Sequence, residues 1–325
     1  MTITGTLDPH YQITKTSFAD GSKRSATEMA SGQVGTSNVT FSGTEDLGGG
    51  LKALFNYEMD FDTTVHSSSN TPTGGGQIFA GLSNSMGSIK LGAPNTPSLT
   101  TQSSRSGFGS KIGGGRSGLG LSGASRTRNS DSVVFESAEY NGFKAAWSYT
   151  TKATTAAATQ YATAITQAEA ISDLGLFYTN GPLAAGLSQY EQKAAVKHTT
   201  GFVSYTLGAA KVTYGFHTNT NQAGAVQAAA AGKIEQALGK SKGSNIALDY
   251  TLTPTTTLMA NIARLNDSSA LNQDLSLSAV GVKYALSKRT SLNARFISEK
   301  RDNAGTATSN IKDLKTTLLG LQHNF

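Results

Sequence analysis

The chain has 325 residues and a formal net charge of +6, and only 37% of its residues are hydrophobic. No window approaches the roughly eighteen consecutive apolar residues of a membrane-crossing helix, which excludes helical spans but not spanning strands, where lipid meets every second residue. Cysteine is absent, which removes disulfides, thiolate metal sites and cysteine nucleophiles together. The basic residues are too dispersed, and too little interleaved with aromatics, for a nucleic-acid groove.

The chain opens MTITGTLDPHYQIT without a basic, apolar leader, so an exported protein is expected whose signal peptide has been removed and whose Met1 was added for expression. A first strand is predicted over 2–16, then a polar segment over 17–31. The glycine-rich turn 44–50 leads into a second clear strand, in which Leu51, Ala53, Phe55, Tyr57, Met59 and Phe61 alternate with Lys52, Asn56, Glu58 and Asp60; only Leu54 breaks the order. Period two marks a strand. Eleven residues at about 3.3 Å each, tilted near 45°, span about 26 Å, the height of an outer-membrane hydrocarbon band.

Further short turns follow at 83–88, 139–143, 178–183, 206–211, 251–257 and 285–291, so that seven hairpins are predicted. Polar segments at 17–31, 63–73, 94–125, 154–168, 192–198, 220–242, 267–273 and 302–310 separate them, most longer than the turns. The alternation recurs at Phe143, Trp147 and Tyr149, at Val212, Tyr214 and Phe216, and at Leu292, Ala294 and Phe296, where Ile297 interrupts the polar side. Tyr57, Tyr140, Phe143, Tyr178, Tyr205, Tyr250 and Tyr284 cluster near strand ends, as an interfacial aromatic girdle requires. The Ala-rich stretches 153–170 and 223–238 are expected to be extracellular segments. With a closing strand over 311–325, the count is fourteen hairpin strands plus one at each end. The fold predicted is all-β: a 16-stranded antiparallel transmembrane β-barrel forming a single domain over 1–325, with short turns at one rim and long loops at the other.

Catalytic and cofactor motifs are weak. Gly113, Gly115 and Gly118 fit G-x-G-x-x-G without a strand-to-helix context, the GKS at 239–241 lacks the required glycine because Ile234 stands there, and no two of the five histidines have metal-ligand spacing. No enzyme, cofactor or metal is expected. The longest connection, about 94–125, is too glycine-rich for a stable helix. It carries Arg105, Lys111 and Arg116, with Arg126 and Arg128 directly after, and no Asp or Glu. It is either a solvated basic surface loop or a loop folded inward to narrow the lumen. By parity Asp8, Lys52, Glu58, Asp60, Glu136, Lys144 and Arg295 face the lumen, where acids opposite bases would set up a transverse field. One unit charge about 6 Å from an ion in water changes its local concentration roughly threefold, so anion preference rather than exclusion is expected.

The stretches GTLDPHYQI, GTEDLGGGLKALF, FAGLSNSMGSIKLG, SVVFESAEYNGFKAAWSY, GVKYALSKRTSL and the terminal LLGLQHNF resemble the general porins of β-proteobacteria from end to end. The resemblance implies a homotrimeric outer-membrane diffusion channel with periplasmic short turns and the third long loop folded into each pore. It also implies contact with outer-membrane lipids and lipopolysaccharide, and Phe325 as the assembly signal read by the barrel-assembly machinery. Arg128 matches a wall arginine of anion-selective members, whereas Asn38 and Gly76 stand where the family usually has Arg, implying a wider, weaker filter. Two alternatives remain at this point: a channel selective for aromatic or dicarboxylic acids on the same fold, and a β-rich surface adhesin.

Overall fold

The computed structural model describes residues 1–65, 75–114, 127–151, 170–193, 196–221, 240–268, 274–302 and 311–325. The Ala-rich stretches and the basic positions Arg116 and Arg126 lie outside them, apart from Ala170. One antiparallel sheet contains every strand. Its first part runs β1 (Thr2–Leu7), β2 (Pro9–Phe18), β3 (Lys23–Ser31), β4 (Asn38–Gly48), β5 (Leu51–Asp60), β6 (Ile78–Asn84), β7 (Gly87–Ala93), β8 (Ser132–Ser137) and β9 (Phe143–Thr150). The second runs β10 (Ile171–Asn180), β11 (Leu183–Gln192), β12 (Val196–Leu207), β13 (Ala210–Asn221), β14 (Lys240–Thr253), β15 (Thr256–Asp267), β16 (Leu275–Ala285), β17 (Thr290–Arg301) and β18 (Ile311–Asn324). A short helix, α1 (Pro97–Ser103), follows β7.

Eighteen segments make sixteen staves, because β1 and β2 are one strand interrupted at Asp8, and β3 and β4 are one strand interrupted over 32–37. Closure comes from β18, which pairs with β17 on one side and with β1 and β2 on the other. All seven predicted turns join the expected neighbours. At the first, Gly48, Gly49 and Gly50 all have positive φ, a conformation that L side chains adopt with strain.

Three expectations need correction. The segment 17–31 is mostly strand: only 19–22 turn, held by Asp20, whose carboxylate accepts from the amide and hydroxyl of Ser22, and β3 then pairs with β2 along its length. No apolar alternation marks β3 because most of its side chains are exposed and none is buried; the ladder holds it, not burial. Likewise part of 192–198 is strand: β11 runs to Gln192 and β12 begins at Val196, with His198 buried within it. Third, the long connection does start with a helix. Its first residues, PSLTTQS, lack glycine, Thr96 caps the Leu99 amide at 3.3 Å, and Pro97 sits where a missing N–H costs nothing.

The two faces of the sheet divide as the alternation demands. Leu174, Leu176, Val203, Val212, Ile246, Ile262, Val280 and Leu319 are exposed on the outside, while Ser148, Asp173, Ser188, Thr200, Asn245 and Asn261 are buried on the inside. Six of the predicted girdle aromatics stand beside the short turns, with Phe143 and Tyr178 in ring contact at 4.5 Å, whereas Tyr57 lies toward the far end of β5, opposite Phe41 and Ile78. Ile262 is 65% exposed in the middle of β15, opposite Ile246, although the next residue, Asn261, is fully buried. Ile262→Arg is therefore expected to destabilise the barrel by about 2–4 kcal/mol, as a cation near the bilayer midplane does, and Ile262→Val by much less. Urea unfolding in phospholipid checks this; equal stability of the two variants would place that face in water.

Candidate functional site: a loop seated inside the barrel

The connection after β7 does not leave the barrel. It enters at an isolated bridge between Asn95 and Arg128, and α1 crosses the inner faces of β9, β10, β11 and β12. Asp173 on β10 takes the Ser98 amide at 2.8 Å and the Ser98 hydroxyl at 2.7 Å. The Thr101 hydroxyl meets that of Ser188 on β11. Further on, the Arg105 guanidinium donates to Asn245 Oδ1 at 2.9 Å and to His217 Nδ1 at 3.4 Å, and Asn245 Nδ2 returns a bond to the Arg105 carbonyl at 2.9 Å. Asn261 holds the Gly113 carbonyl, and Arg295 holds that of Ile112, each at 2.9 Å.

Between these polar anchors sits one apolar one. Phe108, 1% exposed, packs with Met259, Ala263, Leu277, Ala279, Ile297 and Leu318. This explains Ile297, which interrupts the polar side of its strand: its face is covered by the loop, not by water. Glycines in the wall supply the seats. A side chain at Gly175 would press on Pro97, one at Gly215 on Arg105, and one at Gly281 on Phe108.

The predicted lumen charges fall into three groups. Arg105, Asp8 and Arg295 are withdrawn from open water, at 0%, 0% and 4% exposure. Burial pulls the pKa of Arg105 down to about 9, which leaves it charged at neutral pH. Asp8 Oδ2 accepts the amides of Val34 and Gly35, each at 2.9 Å, while Asp8 Oδ1 lies 3.5 Å from His10; it repairs the break between β3 and β4. The Arg295 guanidinium lies 5.1 Å above the Phe108 ring. These three are fasteners, and neither parity, for Asp8 and Arg295, nor loop composition, for Arg105, distinguishes them from pore-lining charges.

A second group borders the narrowed lumen. Lys111 reaches from the loop across to β3–β4, donating to the Gly32 carbonyl at 3.0 Å and the Thr36 hydroxyl at 2.8 Å. Glu58 on β5 accepts from Asn38 Nδ2 at 2.9 Å and the Gln77 amide at 3.1 Å, and Arg128 Nη2 lies 3.9 Å from it. Asp60 follows on the same face of β5. The third group lies nearer the short-turn rim, where Glu136 is shared between Lys90 at 2.9 Å and Lys144 at 3.2 Å, with Lys52 on the neighbouring wall. The anchors Asp173, Ser188, His217, Asn245 and Asn261 carry no motif in the sequence; each is one more polar residue on an inward face. No cluster of three or more metal-ligating side chains occurs among the described residues.

A closed sixteen-stave barrel with an internal loop admits few families, and residues 1–304 match the one described as Gram-negative porin. The chain belongs to that family. Its curated relatives include an outer membrane porin protein of Bordetella pertussis, 31% identical over 185 residues (55% of this chain and 48% of that protein). A major outer membrane protein P.IB of Neisseria gonorrhoeae is 33% identical over 123 residues, 36% of this chain and 32% of that protein. This porin thus aligns with half or less of the length of these relatives. Among solved structures, an anion-selective porin from Comamonas acidovorans superposes with a TM-score of 0.80 at 20% identity, covering 100% of this chain and 99% of that one; at that identity the likeness is of fold. Family and barrel together put this porin in the bacterial outer membrane.

The loop's seating generates a prediction. Asp173→Asn removes the charge and one of the two acceptors that hold Ser98, and a hydrogen bond to a charged group is worth about 1.5–3 kcal/mol. Amide exchange across 97–103 is expected to quicken about tenfold or more, with the barrel strands unchanged. Unaltered exchange of Ser98 would mean that the other anchors alone hold the helix.

Proposed function

We propose that this porin forms a water-filled channel for passive diffusion of small hydrophilic solutes and ions, with a weak preference for anions. The observation that carries the proposal is the loop fastened across the inner wall, which narrows the lumen without replacing its polar lining. The loop brings only positive charge: Arg105 and Lys111 among its described residues, and Arg116 in its sequence, with Arg128 beside its return. Glu58 and Asp60 lie beside Arg128 and offset part of that positive charge, so the net preference is small. At about 6 Å in water each charge shifts local ion concentration roughly threefold, and a Debye length near 8 Å erodes this at physiological salt.

The channel works as a homotrimer in this proposal, surrounded by lipid and lipopolysaccharide, and assembled through its C-terminal Phe325. No catalytic step or cofactor enters. An adhesin would instead be soluble without detergent and would pass no current.

The test is the reversal potential across a planar bilayer under a salt gradient. Its sign is expected to indicate anion preference, and Lys111→Gln with Arg128→Gln is expected to move the permeability ratio toward cations by about threefold to tenfold. Cation preference in the parent protein would overturn the selectivity, and an unchanged ratio in the double variant would remove these two residues from it.

A further inference from the structure

Leu54 is the one residue of its strand that violates the alternation, pointing an apolar side chain toward the lumen. Its Cδ1 lies over Gly81 on β6, where an added Cβ would come within 3.1 Å of it. Phe79, two residues before Gly81, is a second apolar side chain on that inner face. Together with Met1, Thr2, Ser42, Thr44, Asn56 and the edge of Phe55 they line an open hollow of about 480 Å³, within the roughly 300–1,000 Å³ of small-molecule sites.

The surroundings are cationic. Lys90 Nζ lies 5.4 Å from the centroid of the Phe79 ring. It shares its only ion-pair partner among the described residues, Glu136, with Lys144, so two ammonium groups answer to one carboxylate. Lys52 is one step along the same face of β5 from Leu54 and forms no ion pair among the described residues. Asp46, its neighbour in register, is turned onto the Gly48 amide at 2.9 Å. An apolar floor, hydroxyl and amide groups at its edge and lysines beside it form a chemically specific combination.

We propose that this hollow is a way-station for small aromatic carboxylates, such as a benzoate-like anion, lying between the constriction and the short-turn mouth. The ring rests on Leu54 and Phe79, and the carboxylate points to Lys52 and Lys90. Neither part alone suffices. An aliphatic acid such as acetate leaves the floor bare, and a neutral aromatic leaves the lysines unanswered. The site holds its solute only weakly, since a diffusion channel must release what it binds. The proposal rests on the channel reading above, and the test separates the two.

Chloride current through the parent protein is recorded in a bilayer while benzoate or acetate is added on the short-turn side. Benzoate is expected to reduce the current saturably and acetate at equal concentration not to. Leu54→Ser with Phe79→Ser, removing a contact of about 60 Å², is expected to raise the half-blocking concentration about tenfold with unchanged conductance in benzoate-free salt. Lys52→Gln is expected to raise it about threefold. If the serine double variant does not assemble, Phe79→Leu keeps the floor apolar without the ring and is expected to weaken block about threefold. Equal effects of benzoate and acetate, or undiminished block in the floor variants, would overturn the site while leaving the channel intact. A parent protein that passes no current would overturn the channel and the site with it.

Discussion

Everything in this molecule follows from one requirement: in hydrocarbon no water can satisfy a backbone amide, so a spanning sheet must pair its last strand with its first. The closing contact is local and specific. The Gly5 and Phe325 amides each donate to the other's carbonyl at 3.0 Å, and β18 then runs alongside β1 and β2. Where the ladder lapses, at 8 and over 32–37, side chains take over. Asp8 accepts two amides of the broken stave, and the Asp8 amide itself donates to Ser37 Oγ at 3.1 Å. A buried carboxylate here is a repair to the backbone, which is why it makes no statement about the pore.

Closure creates the second problem, an interior lined with polar groups that suits water but not a packed loop. The wall meets the loop chemically at each step: a carboxylate at the exposed amides of a helix start, carboxamides at stranded carbonyls, and an apolar patch where Phe108 lands. The patch around Met259, Leu277 and Ile297 would be costly facing open water, and Phe108 removes that cost. The wall and the loop are therefore two halves of one surface, though 183 residues separate partners such as Ile112 and Arg295.

That separation explains what could be read from the sequence. Turns and alternating strands are local, so the barrel, its strand count and its two faces were legible from residues such as Leu51 to Phe61 and from Gly48 to Gly50. The polar strand β3 was not, since a strand held only by its ladder has no pattern to show. Nor were Asn245 and Asn261 recognisable as anchors, because nothing nearby in sequence distinguishes a carboxamide that binds a loop from one that faces water. The two positions where the family usually carries arginine show the same limit. Asn38 and Gly76 read as lost charge, yet both converge on Glu58: Asn38 donates to it, and any side chain at Gly76 would collide with the Glu58 side chain and carbonyl.

The grouping of charges around Glu58 also bears on selectivity. A guanidinium or ammonium already bonded to protein keeps its charge but gives up part of its freedom to follow a passing ion, and Arg105 and Arg295 contribute only a fixed field from behind the lining. Lys111 and Arg128 border the narrowed lumen, yet one is tied to Gly32 and Thr36 and the other has a carboxylate 3.9 Å away. In the channel proposed above, charges held this way are fixed and leave few mobile ligands. On that proposal such charges bias passing ions without binding them, which agrees with a small sign preference. The proposed aromatic-acid site is where discrimination would be added, because beside Leu54 and Phe79 apolar surface meets Lys52, which forms no ion pair among the described residues.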